Sequence, residues 1–182
     1  MVICDKRHRY MDRCQDDEVC VCEMSQANVE QISRIIEIAG SDPAGWRKTT
    51  LEERHKIMYE AANRLGEMRG DLIGCMCAIT GKTVVEGDVE VSEGIDYARF
   101  YTTSMKLFAD LPDVDITPEG TVLVISPWNF PCAIPIGGIV AALAGGNTVI
   151  LKPATVAAPV AWLFAQAFWD AGVPKEALQV II

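Results

Sequence analysis

Hydrophobic and polar positions alternate along the first two thirds of the chain at helical spacing. Val29, Ile32, Ile36 and Ala39 recur at three- and four-residue steps, predicting a helix that Ser25 caps and Gly40 stops. Ser41–Lys48 reads as a turn, with Pro43, Gly45 and an anchoring Trp46. Thr49 and Glu52 suggest a capping box opening a second helix. Its core face is Ile57, Ala61, Leu65 and Met68, and Glu53, Arg54, Lys56 and Glu60 are expected to face water. Gly70 and Gly81 bracket a short apolar helix, Asp71–Thr80. A longer helix is expected from about Thr83 to Phe108. Within it, Val85, Val89, Ile95, Tyr97, Phe100 and Tyr101 are core candidates, and Glu86, Glu90, Asp96 and Arg99 form the wet side.

The texture changes after Asp110, where Pro112, Pro118 and Gly120 mark a boundary and Asp113–Ile116 suggests a short strand. Thr121–Ser126 is a continuous β-branched run, as expected of a strand covered on both faces. A helix over Ala133–Ala144, closed by Gly145 and Gly146, leads to a second such strand, Thr148–Lys152. A helix over Ala157–Ala171, ended by Gly172 and Pro174, leads to a third strand at Leu178–Ile182. This β-α-β-α-β order with right-handed crossovers predicts a parallel sheet. The fold class is therefore α/β: an N-terminal helical layer followed by a partial, Rossmann-like parallel sheet. Residues 1–24 read as a leader without a defined element, 25–120 as the helical part and 121–182 as the first half of the sheet.

Composition narrows the function. The 182 residues carry 16 basic and 25 acidic side chains, a formal charge of −9, which argues against nucleic acid as a partner. No charged residue lies between Glu119 and Lys152, yet three prolines and two glycine pairs break that stretch, so no membrane span is expected. The charge-dense start lacks a signal core, making the cytoplasm the expected location. Seven cysteines include the C-x-C pairs Cys20/Cys22 and Cys75/Cys77; zinc knuckles favour C-x-x-C, and His8 and His55 stand alone. Reduced, mostly buried thiols and no metal site are expected, with a C-x-C metal module as a minor rival.

Ligands of open parallel sheets bind beyond the carboxyl ends of the strands. Those places are Ser126-Pro127-Trp128-Asn129-Phe130-Pro131 and Lys152-Pro153-Ala154-Thr155. Asn129 offers an uncharged amide donor to developing negative charge, and Lys152 can donate to ribose hydroxyls or a phosphate. Taken singly, Asn129 reads as a turn residue, Lys152 as a strand-end cation reaching water, and Trp128 and Phe130 as packing.

Together, Ile125-Ser126-Pro127-Trp128-Asn129-Phe130-Pro131, Leu143-Ala144-Gly145-Gly146-Asn147-Thr148-Val149 and Lys152-Pro153-Ala154 resemble the aldehyde dehydrogenase superfamily. Trp46-Arg47, Leu51-Glu52-Glu53-Arg54, Thr80-Gly81-Lys82 and Ala171-Gly172-Val173-Pro174 extend the likeness over nearly everything from Ser25 onward. The resemblance implies NAD- or NADP-dependent oxidation of a small aldehyde. It gives Asn129 the role of oxyanion-hole amide and Lys152 that of adenosine-ribose ligand. Ile125, Ser126, Pro127 and Trp128 would form the cofactor wall, and Phe130 an aromatic at the substrate tunnel. Thr155 stands where many relatives place a glutamate that accepts from the ribose diol, which leaves the choice between NAD and NADP open.

Asp88–Phe100 resembles pyrroline-5-carboxylate dehydrogenases, which implies glutamate semialdehyde as substrate and places Glu93 near the aldehyde entrance. Succinate-semialdehyde dehydrogenases compete with that assignment. The family's nucleophilic cysteine, general-base glutamate and glycine-rich pyrophosphate segment lie beyond the third strand. The chain is thus expected to be the amino-terminal part of such an enzyme, inactive alone and homo-oligomeric at full length. Cys132 is rejected as a substitute nucleophile because no candidate base accompanies it. The alternative is a truncated, non-catalytic protein that binds nucleotide or associates with a full-length subunit.

Overall fold

The computed structural model describes residues 6–13 and 19–182. A hairpin of β1 (Arg7–Met11) and β2 (Cys20–Ser25) precedes four helices: α1 (Val29–Ser41), α2 (Leu51–Glu67), α3 (Arg69–Thr80) and α4 (Val84–Ala109). Then β3 (Thr121–Ser126), α5 (Ala133–Ala144), β4 (Thr148–Pro153), α6 (Ala158–Asp170) and β5 (Leu178–Val180) form the β-α-β-α-β unit. Its strands are parallel in the order β3-β4-β5, with Thr121 opposite Thr148 and Val149 opposite Leu178.

The hairpin occupies part of the segment in which the sequence shows no element; Met1–Asp5 and Cys14–Glu18 lie outside the described residues. Because Ser25 ends β2, the cap of α1 is Asn28, whose side chain accepts from the Gln31 amide at 2.8 Å while Gln31 accepts from the Asn28 amide. The box opening α2 is likewise one residue later than expected, Thr50 with Glu53. No strand forms at Asp113–Ile116.

The core lies between α2, α5 and α6, with Trp46, Met58, Leu143, Leu151, Phe164 and Phe168 fully buried. Contrary to the expectation for its apolar run, β3 is covered on one face only. Val124 packs on α5, where a Cβ added to Gly138 would lie 3.1 Å from Val124 Cγ1. Leu123 and Ile125, on the other face, are 55% and 69% exposed.

Helix α4 also turns a different face inward. Gly87, Glu90, Val91, Gly94, Ile95, Ala98 and Thr102 are buried, whereas Val85, Val89 and Phe100 are exposed. Close approach decides this: a Cβ on Gly94 would stand 3.0 Å from Ile136 Cδ1, and one on Gly137 would stand 3.1 Å from the Tyr97 ring. The helices pack along the small residues because more atom pairs reach contact distance there than bulky aliphatic side chains would allow. Glu90 is carried into the core with that face.

Candidate functional site

The two segments leaving the sheet's carboxyl rim are joined at their roots. Ile125 lies opposite Lys152 and Ser126 opposite Pro153. The Ala154 amide then donates to the Ser126 carbonyl at 3.1 Å. Strand alternation puts Ile125 and Lys152 on one face, away from α5. The Lys152 ammonium, half-buried, has no hydrogen bond or ion pair among the described residues. Ser126, on the α5 side, is buried with its hydroxyl unpartnered, and its carbonyl is taken by Ala154. Pro127, Trp128, Asn129 and Phe130 are exposed.

Trp128 and Asn129 line a cavity of about 210 Å³ with Thr80, Gly81, Lys82 and Glu86. Lys152 and Glu93 are not among its lining residues. The Asn129 amide has no hydrogen-bond partner among the described residues. Phe130 lies beneath the Lys82 ammonium, 4.4 Å from ring centroid to Nζ. A larger, apolar groove of about 770 Å³ lies elsewhere, between β2, α1, α6 and the end of β5. It holds none of the rim residues that sequence points to, so size does not mark the site.

Behind this segment sits Glu90, assigned to the wet side from sequence but only 1% exposed. One carboxylate oxygen accepts from the Cys132 and Ala133 amides at 2.7 and 3.1 Å, and the other lies 2.9 Å from Lys82 Nζ. Helix α5 has no side-chain cap from its own N-cap residue, Cys132, so Glu90 satisfies its first amides from a different helix. The other end of α5 is held similarly. Trp46 Nε1 donates to the Leu143 carbonyl at 3.2 Å, and Arg54 Nε to the Ala144 carbonyl at 3.0 Å. Arg54 is therefore turned to the protein, not to solvent as expected, and Arg47 binds the Ala39 and Gly40 carbonyls closing α1.

Glu93, one turn beyond Glu90, is half-buried and accepts from the Tyr97 hydroxyl at 2.7 Å, a bond that raises the Tyr97 pKa. The Thr155 carbonyl accepts from Tyr10 at 2.8 Å. Tyr10 is 4% exposed, and burial first, then the Cys22 charge, push its phenol up to about 12. Burial, with the Glu90 charge second, drives the Cys132 thiol far above its ordinary range, which disfavours the thiolate that a nucleophile requires. Cys75 is pushed up to about 12, again chiefly by burial. Among the described residues, no group of three or more His, Cys, Asp or Glu side chains could hold a metal ion, and no helix is long and apolar enough to cross a membrane.

Sequence reasoning thus missed Glu90, Lys82 as its partner, and Tyr10. Glu90 did leave a signal: Gly87, Glu90, Val91, Gly94 and Ala98 share one helical face, and a carboxylate on a face of small residues is one a neighbour will cover. Tyr10 left none, since its partner lies 145 residues away.

Residues 4–182 match the model of the aldehyde dehydrogenase family. A 1-pyrroline-5-carboxylate dehydrogenase of Geobacillus sp. (strain WCH70) is 34% identical over 168 residues, covering 87% of this chain and 33% of the relative. An alpha-ketoglutaric semialdehyde dehydrogenase of Bacillus subtilis (strain 168) is 33% identical, with 87% and 34% covered. Among solved structures, proline utilization A from Bdellovibrio bacteriovorus superposes with a TM-score of 0.91 at 26% identity, covering 99% of this chain and 20% of that one. The 1-pyrroline-5-carboxylate dehydrogenase from Thermus with bound NAD gives 0.89 at 27% identity, covering 100% and 37%. The chain spans about a third of the length of the curated relatives it matches. With a partial parallel sheet, two stitched rim segments and matching motifs along almost its whole length, the chain belongs to the aldehyde dehydrogenase family.

Proposed function

We propose that these residues form the amino-terminal part of a cytoplasmic, homo-oligomeric, NAD- or NADP-dependent aldehyde dehydrogenase whose substrate is glutamate semialdehyde, the open form of pyrroline-5-carboxylate. The observation that carries the reading is the stitching of the two rim segments, which leaves on one an amide and on the other an ammonium without partners among the described residues. Asn129 donates to the aldehyde oxygen as it gains negative charge. A neutral donor already in place needs no reorganisation at that moment, and one such donor contributes roughly 3–4 kcal/mol to lowering the barrier.

The residues present fit a dinucleotide. Lys152 has no counter-ion among the described residues and suits ribose hydroxyls, beside an apolar wall of Ile125, Pro127 and Trp128, with Ser126 as their backbone anchor. Thr155 adds no negative charge to repel a 2′-phosphate, which keeps both NAD and NADP compatible. When bound, the nicotinamide accepts the hydride. Phe130 and Glu93 line the aldehyde's approach, Glu93 held by Tyr97. The relatives named for pyrroline-5-carboxylate and alpha-ketoglutaric semialdehyde support an acidic semialdehyde.

Fused in frame to the remaining two thirds of the Geobacillus relative, the chain should support NAD reduction by glutamate semialdehyde. Asn129→Ala should lower kcat about 100- to 1,000-fold, the usual effect of removing one oxyanion donor. A loss below about threefold would remove Asn129 from that role. A second reading, association with a longer subunit, is favoured by the bare Leu123–Ile125 face of β3. Retention of a full-length homologue on the immobilised chain, lost in Ile125→Lys, would support it.

A further inference from the structure

We infer that Lys82 and Glu90 are positioning residues for Asn129, an ion-paired clamp that sets the conformation of the segment between β3 and α5. The inference rests on the proposed role of Asn129, but its geometry stands independently.

The clamp acts inside the Asn129–Pro131 stretch and directly after it. On the downstream side, Glu90 Oε1 receives the Cys132 and Ala133 amides. Within the stretch, Lys82 Nζ sits over the Phe130 ring, and Lys82 lines the same cavity as Trp128 and Asn129. The 2.9 Å pair between Lys82 Nζ and Glu90 Oε2 joins the two grips. Among the described residues Glu90 has no other cation within ion-pair distance, and the Lys82 side chain is only 14% exposed, so the pair is poorly screened by solvent.

A buried carboxylate that received only amides would cap α5 and leave the preceding residues free to swing. A lysine that only covered Phe130 would be a cation over an aromatic ring. Joined, they fix where the chain enters α5 and where the ring one residue after Asn129 lies. The Asn129 side chain makes no hydrogen bond of its own among the described residues, so its direction is inherited from its backbone. Pre-organisation of an oxyanion donor requires that inheritance, since a donor displaced by about 1 Å loses much of its effect.

The test is solution NMR of the ¹⁵N-labelled 182-residue chain as wild type, E90Q, K82M and K82R. Glu90→Gln keeps shape and one acceptor but loses the charge; Lys82→Met keeps the stem without the ammonium. Both variants should move the Asn129 side-chain amide and Trp128 indole signals. They should also speed amide exchange at Cys132 and Ala133 roughly 10- to 100-fold, the loss expected for hydrogen bonds to a charged group. Exchange in β4 should change little, and K82R should restore the wild-type signals. If E90Q does not fold, K82M and K82R carry the comparison. Unchanged Asn129 and Trp128 signals in K82M, or faster exchange spread evenly over α5, β4 and α6, would overturn the clamp. Because these readouts report loop geometry and not turnover, a failed clamp is distinguishable from a failed role for Asn129.

Discussion

Two turns leave the same rim of the sheet, and they are held by opposite kinds of chemistry. The turn after β3 is fixed by charge, through Glu90 and Lys82 brought from α4 and the α3–α4 junction. The turn after β4 is fixed by neutral groups: the Ala154 amide on Ser126, the Tyr10 hydroxyl on Thr155, and the burial of Ala157 and Ala158. Charge-assisted bonds in a dry seam are strong and directional, whereas a neutral bond adds only a modest net amount. The turn carrying the proposed oxyanion donor therefore has the more exacting support, and the turn carrying the ribose ligand has the more tolerant one.

The largest expected effect comes from breaking the charged side of this comparison. Glu90→Ala leaves Lys82 unpaired and two helix amides unsatisfied, and should cost about 3–5 kcal/mol of stability; chemical denaturation followed by circular dichroism reads it. A loss under about 1 kcal/mol would put the pair in the class of surface ion pairs. Next is the seam beneath that turn. Gly94→Val forces a side chain to within 3.0 Å of Ile136 Cδ1 and should cost roughly 1–3 kcal/mol by overpacking, seen as a lower melting temperature.

The neutral side should respond less. Tyr10→Phe removes one hydrogen bond to Thr155 and should cost about 0.5–1.5 kcal/mol at neutral pH. It also has a pH signature. The Tyr10 phenol is raised from 10.0 to about 12, so the neutral form is favoured by folding. Its stabilising contribution is complete below pH 10 and disappears as pH rises from 10 toward 12. Cys75, raised from 9.0 to about 12, acts with the same sign over its own interval. Wild type should lose more stability than Y10F between pH 10 and 12; parallel curves would remove Tyr10 from the alkaline response. The smallest effect is expected at Lys152→Met, within about 0.5 kcal/mol, because no structural bond is lost; only nucleotide binding should suffer.

The same contrast explains what sequence could reveal. The bounds of β3 and α5 are readable to the residue, because Thr121–Ser126 and Ala133–Ala144 are apolar runs punctuated by prolines and glycines. The place of Asn129 and Lys152 on the carboxyl rim is readable because the strand order sets it, while their proposed roles come from the rim rule and the family resemblance. The inward face of α4 is not, since periodicity weighs Val85, Val89 and Phe100 above Gly94 and Ala98, whereas packing rewards the small residues. Nor are the supports. Glu90 reads as solvated until α5 covers it, and a polar hairpin carrying Tyr10 shows no pattern of its own. Spacing can mark a face such as that of Glu90 as one to be covered, but the partners of long-range polar contacts depend on tertiary placement.

The most direct measurement is titration of the ¹⁵N-labelled chain with NAD, followed at the Trp128 indole and the amides of residues 152–155. Both rim segments should shift along one common binding curve, and Lys152→Met should weaken that curve at both. Shifts confined to one segment, shifts elsewhere on the surface, or none at millimolar nucleotide would contradict a shared nucleotide-binding rim.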